Sequence, residues 1–203
     1  RRNVLPQPGG ALLAAFALAT AADLLALLAG SHTAHAVAKP LLMPLLAAYA
    51  VANRGPRLLL AALLCGWAGD VLLLSDAKPA FLAGMGCFAA GHVCYLALFG
   101  RPKRTTAAAY ALLWAGTIAL LWPGLEPGMR IPVTAYSLLL TAMAAAATTR
   151  GPRAAAGGAL FLLSDTLIIT GAPGFWIMLT YAAAQYALAS GLLRYRERTA
   201  ITT

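Results

Sequence analysis

Apolar residues run along this chain in blocks of about 17 to 25, separated by short stretches rich in Arg, Lys, Gly and Pro. Eight blocks stand out, near residues 11–29, 38–52, 57–75, 80–99, 106–122, 131–149, 154–171 and 174–194. At 1.5 Å per residue most of them approach the hydrocarbon thickness of a bilayer, about 30 Å. The second is short and carries Pro40 and Pro44, which predicts a tilted or kinked helix with poorly marked ends. Little chain is left between the blocks. The expectation is therefore an all-α, polytopic membrane protein with eight transmembrane helices in a single domain over residues 1–203.

Composition agrees with that pattern. Of the 203 residues, 61% are apolar and 10% charged, and the mean hydropathy is +0.77. A soluble domain carries roughly a quarter charged residues, so a water-soluble enzyme and a disordered tail are excluded. The net charge of +9 is then a topology signal. The arginines flank apolar blocks and share no surface, so no nucleic-acid partner is expected.

Counted by connection, Arg1, Arg2, Arg54, Arg57, Arg101, Lys103, Arg104, Arg150, Arg153, Arg194, Arg196 and Arg198 fall on one side, and only Lys39, Lys78 and Arg130 on the other. The positive-inside rule predicts both termini in the cytoplasm and an even number of spans, in a multi-pass protein of the bacterial inner membrane. The first block resembles a secretory signal, with arginines before it and an Ala-x-Ala-like stretch from Ala34 to Ala38 after it. Its apolar region is longer than a signal core, however, and contains Asp23. The chain opens on Arg1, so its true N-terminus is expected to lie further upstream.

Cys65, Cys87 and Cys94 are odd in number and lie inside apolar blocks, as packing residues do. His32 and His35 have a metal-ligand spacing, but no cysteine or acid lies beside them in sequence. They are expected in a solvent-facing loop, and no metal is assigned.

The tetrapeptide Arg-Gly-Pro-Arg occurs at 54–57 and at 150–153, each time just before a block with one aspartate, Asp70 or Asp165. Pro40 and Pro132, Phe81 and Phe175, and His92 and Gln185 continue the correspondence at offsets of 92 to 96 residues. This predicts a duplication into two parallel four-helix repeats, 11–99 and 106–194, with Asp70 facing Asp165. A cytoplasmic turn reused by chance is the other reading.

Helical rise places Asp70 about 20 Å from Arg57 and Asp165 about 18 Å from Arg153, with Asp23 at a similar level. Counted from the opposite surface, Tyr136 and Tyr181 reach nearly that height, with Gln185 near the midplane and His92 slightly below it. An ionised carboxylate in hydrocarbon costs at least about 2.5 kcal/mol, so these acids are expected to face the bundle interior. The face of Asp70 also carries Gly66 and Trp67, and that of His92 carries Gly84, Phe88 and Tyr95, residues suited to packing around a cavity. These polar groups could simply hold the bundle together, but two converging acids favour a chemical or transport role. Lys39 begins the second block on the non-cytoplasmic side, either as a snorkelling anchor or as a ligand for lipid phosphate.

Several short motifs occur in order: Lys39-Pro40-Leu41, Gly69-Asp70 followed by Val71-Leu72-Leu73-Leu74, Gly91-His92 with Tyr95, Ser164-Asp165, and Tyr181 with Gln185. From about Asp23 to Gln185 the chain resembles the YhhN-type integral membrane proteins, the lysoplasmalogenase family. The resemblance implies an eight-span helical protein that hydrolyses the vinyl ether of a lysophospholipid, a lysoplasmalogen, to a fatty aldehyde and a glycerophospho-ethanolamine or -choline. It implies no metal and no organic cofactor. By position it carries over Lys39, Asp70, His92, Asp165, Tyr181 and Gln185.

Vinyl-ether cleavage needs a proton for the β-carbon and water for the oxocarbenium ion that results. Asp70 and Asp165 could divide those tasks as acid and base, while His92, Tyr136, Tyr181, Gln185 and Asp23 position water or substrate and Lys39 holds the phosphate. A proton-coupled transporter or channel is the alternative from another class, and an assembly subunit without chemistry is a third.

Overall fold

The computed structural model describes residues 9–201, so Arg1 and Arg2 of the charge count lie outside the described residues. Eight α-helices follow one another: α1 Gly10–Leu28, α2 His32–Ala52, α3 Arg57–Leu72, α4 Lys78–Leu98, α5 Arg104–Leu121, α6 Arg130–Ala147, α7 Pro152–Ile169 and α8 Gly174–Ile201. No strand occurs among the described residues, and short 3₁₀ turns flank α6. Seven of the eight helices are long and apolar enough to cross a membrane; α3, at 16 residues, is shorter than its apolar block suggested. The chain is a multi-pass membrane protein.

The helix starts follow local chemistry. Pro79 and Pro152 occupy first-turn positions, where the missing N–H has no partner to lose. The start of α2 corrects the expectation from the sequence. Ser31 caps it, its Oγ accepting from Ala34 N at 3.3 Å, so the helix begins at His32 and runs unbroken through Pro40 and Pro44. His32 and His35 thus occupy the first turn of a helix. Lys39 lies in its second turn, buried at 8% exposure, and does not snorkel to the surface.

Two ends of the bundle can be told apart by their contacts. At the end that carries the α2–α3, α4–α5 and α6–α7 connections, the Arg150 guanidinium donates to Leu98 O from Nε at 3.0 Å and from a terminal nitrogen at 2.7 Å, and it lies over the Tyr195 ring. Arg196 there reaches Arg54 O. At the opposite end Lys78, at the start of α4, pairs with Glu126 between α5 and α6 at 2.6 Å. The two Arg-Gly-Pro-Arg turns differ in backbone: Arg54 has φ 53° in the first, whereas Gly151 has φ 95° in the second.

Small residues let the helices close. A methyl group on Gly158 would lie 2.8 Å from Ala144 Cα, and one on Gly157 would lie 2.7 Å from Leu188 N, so α7 fits against α6 and α8 at backbone distance. The predicted face of α4 is buried as a unit: Gly84, Phe88, His92 and Tyr95 all point inward. Trp67 does not join Asp70 inside. It is 40% exposed on the outer side of α3, because the inward stripe runs through Leu63, Gly66 and Asp70. α5 stands apart. It has no buried residue, packs on α6, and is pinned there by Trp114 Nε1 donating to Ser137 Oγ at 3.0 Å.

Candidate active site

Asp70 lies in the last turn of α3 and Asp165 near the end of α7, both toward the end of the bundle away from the arginine-rich connections. Tyr181 and Tyr136 come from the first half of α8 and of α6, which run the other way. Side chains lean toward the start of their own helix. The tyrosines therefore reach up and the aspartates lean down, and each pair meets. Tyr181 donates to Asp70 Oδ2 at 2.8 Å, and Tyr136 donates to Asp165 Oδ2 at 2.6 Å.

Behind each tyrosine stands a further polar group. Tyr95 donates to Gln185 Oε1 at 2.7 Å, and the Gln185 amide reaches the Tyr181 hydroxyl at 3.5 Å. On the other side His92 Nε2 lies 3.1 Å from the Tyr136 hydroxyl. That hydroxyl gives its proton to Asp165, so His92 is the donor there, and its buried Nδ1 has no partner among the described residues. Two donor chains, Tyr95–Gln185–Tyr181–Asp70 and His92–Tyr136–Asp165, thus point their hydrogens toward a carboxyl group. Phe161 separates them, its ring centre 5.6 Å from Tyr181 and 4.7 Å from His92. Gly66 makes room for the first chain, since a methyl there would lie 3.0 Å from Gln185 Nε2 and 3.3 Å from the Tyr181 hydroxyl.

Both carboxyl groups open onto one cavity of about 680 Å³. Lys39, Tyr136 and Tyr181 also line it, together with an apolar wall from α5, α6 and α7 that includes Trp114, Ile118, Leu140 and Leu162. Its volume falls in the range of small-molecule sites, and a few convergent polar groups in an apolar wall are their usual make-up. Among the described residues Asp70 and Asp165 accept hydrogen bonds only at Oδ2, which leaves Oδ1 of each for an occupant.

The residues singled out from the sequence therefore fall into two tiers. Asp70, Asp165, Lys39, Tyr136 and Tyr181 line the cavity, whereas His92 and Gln185 sit behind the tyrosines. Asp23 is elsewhere. Fully buried in α1, it meets His35 Nδ1 at 2.7 Å, which removes His35 from the solvent-facing loop expected of it, and it does not line the cavity. Tyr95, which the sequence places on the face of His92 without a chemical role, holds Gln185. No group of three or more metal-ligating side chains occurs among the described residues.

Residues 34–192 match the YhhN family. Lysoplasmalogenase TMEM86B of Homo sapiens is 35% identical over 147 residues, which cover 68% of this chain and 64% of that protein. Lysoplasmalogenase of Mycobacterium tuberculosis is 34% identical over 199 residues, 81% of this chain and 74% of its own. The rat Lysoplasmalogenase TMEM86B is 34% identical over 169 residues, 77% of this chain and 71% of its own. The chain thus spans just under two thirds of the human relative's length. No solved structure matches significantly.

Proposed function

Since the chain belongs to the YhhN family, we propose that it is a membrane-embedded lysoplasmalogenase of the bacterial inner membrane, which hydrolyses the vinyl ether of a lysophospholipid by carboxyl acid/base chemistry. The observation that carries this reading is the pair Asp70 and Asp165 on one largely apolar cavity, each with a free oxygen and each oriented by a tyrosine. The curated relatives bear the name of that activity.

In the reaction, one carboxylic acid donates its proton to the β-carbon of the C=C bond, whose electrons leave an oxocarbenium ion at the α-carbon. The second, ionised carboxylate stabilises this cation and then accepts a proton from the attacking water, so that the hydroxyl adds at the α-carbon. The hemiacetal then collapses: the carboxylate left by the first step takes the proton of the hemiacetal hydroxyl as its C=O bond forms, the C–O bond to glycerol breaks, and the other carboxylic acid gives the glycerol oxygen its proton. A fatty aldehyde and a glycerophospho alcohol leave, and the two carboxyl groups together have returned the proton they gave. Tyr136 and Tyr181 fix the carboxyl orientations. The apolar side of the cavity accommodates the chain. α5 turns Tyr110, Trp114, Thr117 and Ile118 toward it without burying any of them, so an occupying chain supplies packing that this helix otherwise lacks.

The test uses purified protein in detergent, with no membrane gradient, and lysolipids of vinyl-ether, alkyl-ether and acyl type followed by mass spectrometry. Consumption of the vinyl ether alone, with release of aldehyde, is the expected result. A transporter would consume none of the three.

A further inference from the structure

Among the described residues Lys39 is the only lysine or arginine on the wall of the cavity that Asp70 and Asp165 share. Its place on α2 decides which acid it serves. α2 packs mainly against α1 and α3, and α3 runs antiparallel to it. Met43, one turn along α2 from Lys39, has its Cγ 3.9 Å from where a methyl on Gly66 would sit, and Gly66 lies one turn before Asp70 on α3. One turn outward from that contact, Lys39 therefore stands beside Asp70 and within its electrostatic reach. Lys39 also reaches Asp23 of α1, but Oδ1 of Asp23 is already held by His35 at 2.7 Å. Lys39 is thus left to Asp70.

Asp165 has no such neighbour. It accepts from Tyr136 and meets His92 only through that hydroxyl. One buried cation beside two buried carboxyl groups balances one negative charge, and a second carboxylate in the same dry space would be unpaired and strongly unfavourable. The substrate imposes the same order. In a vinyl ether the β-carbon carries the alkyl chain and the α-carbon the glycerol oxygen. α6 and α7, which bring Tyr136 and Asp165, also supply much of the apolar wall through Leu140, Leu162 and Leu163. Lys39 instead borders a second recess of about 530 Å³, which His35, Asp76 and Lys78 line at the end away from the arginine-rich connections. A lipid chain along the apolar wall turns its β-carbon toward Asp165 and its glycerol oxygen toward Asp70.

We propose that Lys39 is a positioning residue that holds Asp70 as the ionised base of the reaction and leaves Asp165 as the acid that protonates carbon. The assignment rests on the vinyl-ether reading given above and divides its two roles. Asp165 gives its proton to the β-carbon, and Asp70 takes one from the attacking water. Asp165 then takes the hemiacetal hydroxyl proton, while Asp70 passes its own to the departing glycerol oxygen. Each acid ends as it began, and Lys39 keeps its charge throughout.

Infrared spectroscopy of the whole chain without substrate reads the protonation states directly, since only a protonated carboxyl group shows the high-frequency C=O stretch that shifts in D2O. The chain has six carboxyl side chains, of which Asp76, Glu126 and Glu197 are exposed, so few bands compete. At neutral pH one such band is expected from the buried acids, lost in Asp165→Asn and kept in Asp70→Asn and Asp23→Asn. Lys39→Met should add a second band, which the double variant Lys39→Met with Asp70→Asn lacks. A wild type with no band or with two, or a band that vanishes in Asp70→Asn or Asp23→Asn, overturns the assignment. Turnover then separates this role from headgroup binding. For a vinyl-ether glycerol without phosphate, Lys39→Met should lower kcat at least about tenfold, and Lys39→Arg should recover most of the loss. A loss confined to phosphate-bearing lipid would make Lys39 a headgroup ligand and overturn the positioning role. The expected bands without turnover of any vinyl ether would remove the hydrolase reading alone, and turnover with the two acids exchanged in the spectrum would remove the assignment alone.

Discussion

The Tyr181 hydroxyl donates to Asp70 Oδ2 at 2.8 Å across 111 residues of sequence, and so ties α8 to the last turn of α3 inside the bundle. The Tyr181 hydroxyl in turn faces the Gln185 amide. Tyr181→Phe keeps the ring against Phe88 and Phe161 but frees the carboxyl group to rotate. A hydrogen bond to a charged group contributes about 1.5 to 3 kcal/mol, so kcat for aldehyde release should fall about ten- to a hundredfold. An unchanged kcat would show that the carboxyl group needs no orientation from this side.

Asp70→Asn and Asp165→Asn each keep side-chain shape and remove the exchangeable carboxyl proton. General acid or base catalysis is worth about 10²- to 10⁴-fold, and each variant should lose turnover on that scale while keeping its thermal unfolding midpoint within a few degrees. Near-normal turnover in both would end the acid/base proposal. Loss of turnover with a collapsed melting transition would instead assign the acids to holding the helices together.

His92 reaches the carboxyl group only through Tyr136. A double-mutant cycle tests that route. His92→Ala should lower kcat in the wild type, but by much less in a Tyr136→Phe background, because the phenylalanine has already broken the chain. Additive losses would mean that His92 acts on the reaction by another path.

Much of this was legible in the sequence, for reasons specific to particular residues. Asp70, Asp165, Tyr136 and Tyr181 stood out because a polar group in an apolar block is conspicuous and its height follows from helical rise alone. What rise does not give is azimuth, since the inward stripe of a helix apolar on all sides leaves little trace in the sequence. Trp67 thus shares the face of Asp70 by spacing and yet faces out, and Asp23 lies level with the other acids by rise and yet pairs with His35 off the cavity wall. The start of α2 escapes the pattern for a related reason: Lys39 stands at the apparent start of an apolar block, which hides the polar turn that Ser31 caps before it.

Close approach of α7 to its neighbours makes Gly158 intolerant of bulk. With Ala144 Cα already 2.8 Å from where a methyl would sit, Gly158→Val must push α6 away. Overpacking of this kind is unfavourable by about 1 to 3 kcal/mol. A lowered unfolding midpoint in detergent is the expected readout, with catalysis per folded molecule little changed because the carboxyl groups are nearly two turns further along α7 or on α3.

By the positive-inside rule we expect the α2–α3, α4–α5 and α6–α7 connections on the cytoplasmic side, and the α8 terminus with them. A fluorescent reporter fused after Arg198 should be active in intact bacterial cells, and an alkaline phosphatase fused there should be inactive. The reverse result would turn the mouth of the cavity toward the cytoplasm.

α5 has no interior of its own: it packs mainly on α6, and the side it turns to the cavity borders the space where a lipid chain is proposed to lie. A guest in that space becomes part of the wall, and its affinity is then also a measure of how firmly the helix is seated. Such a protein has no single melting temperature, only one for each concentration of guest, rising with RT ln(1 + [L]/Kd). A lysolipid-starved preparation and a saturated one will differ as though they were different proteins, and the difference will lie in one helix.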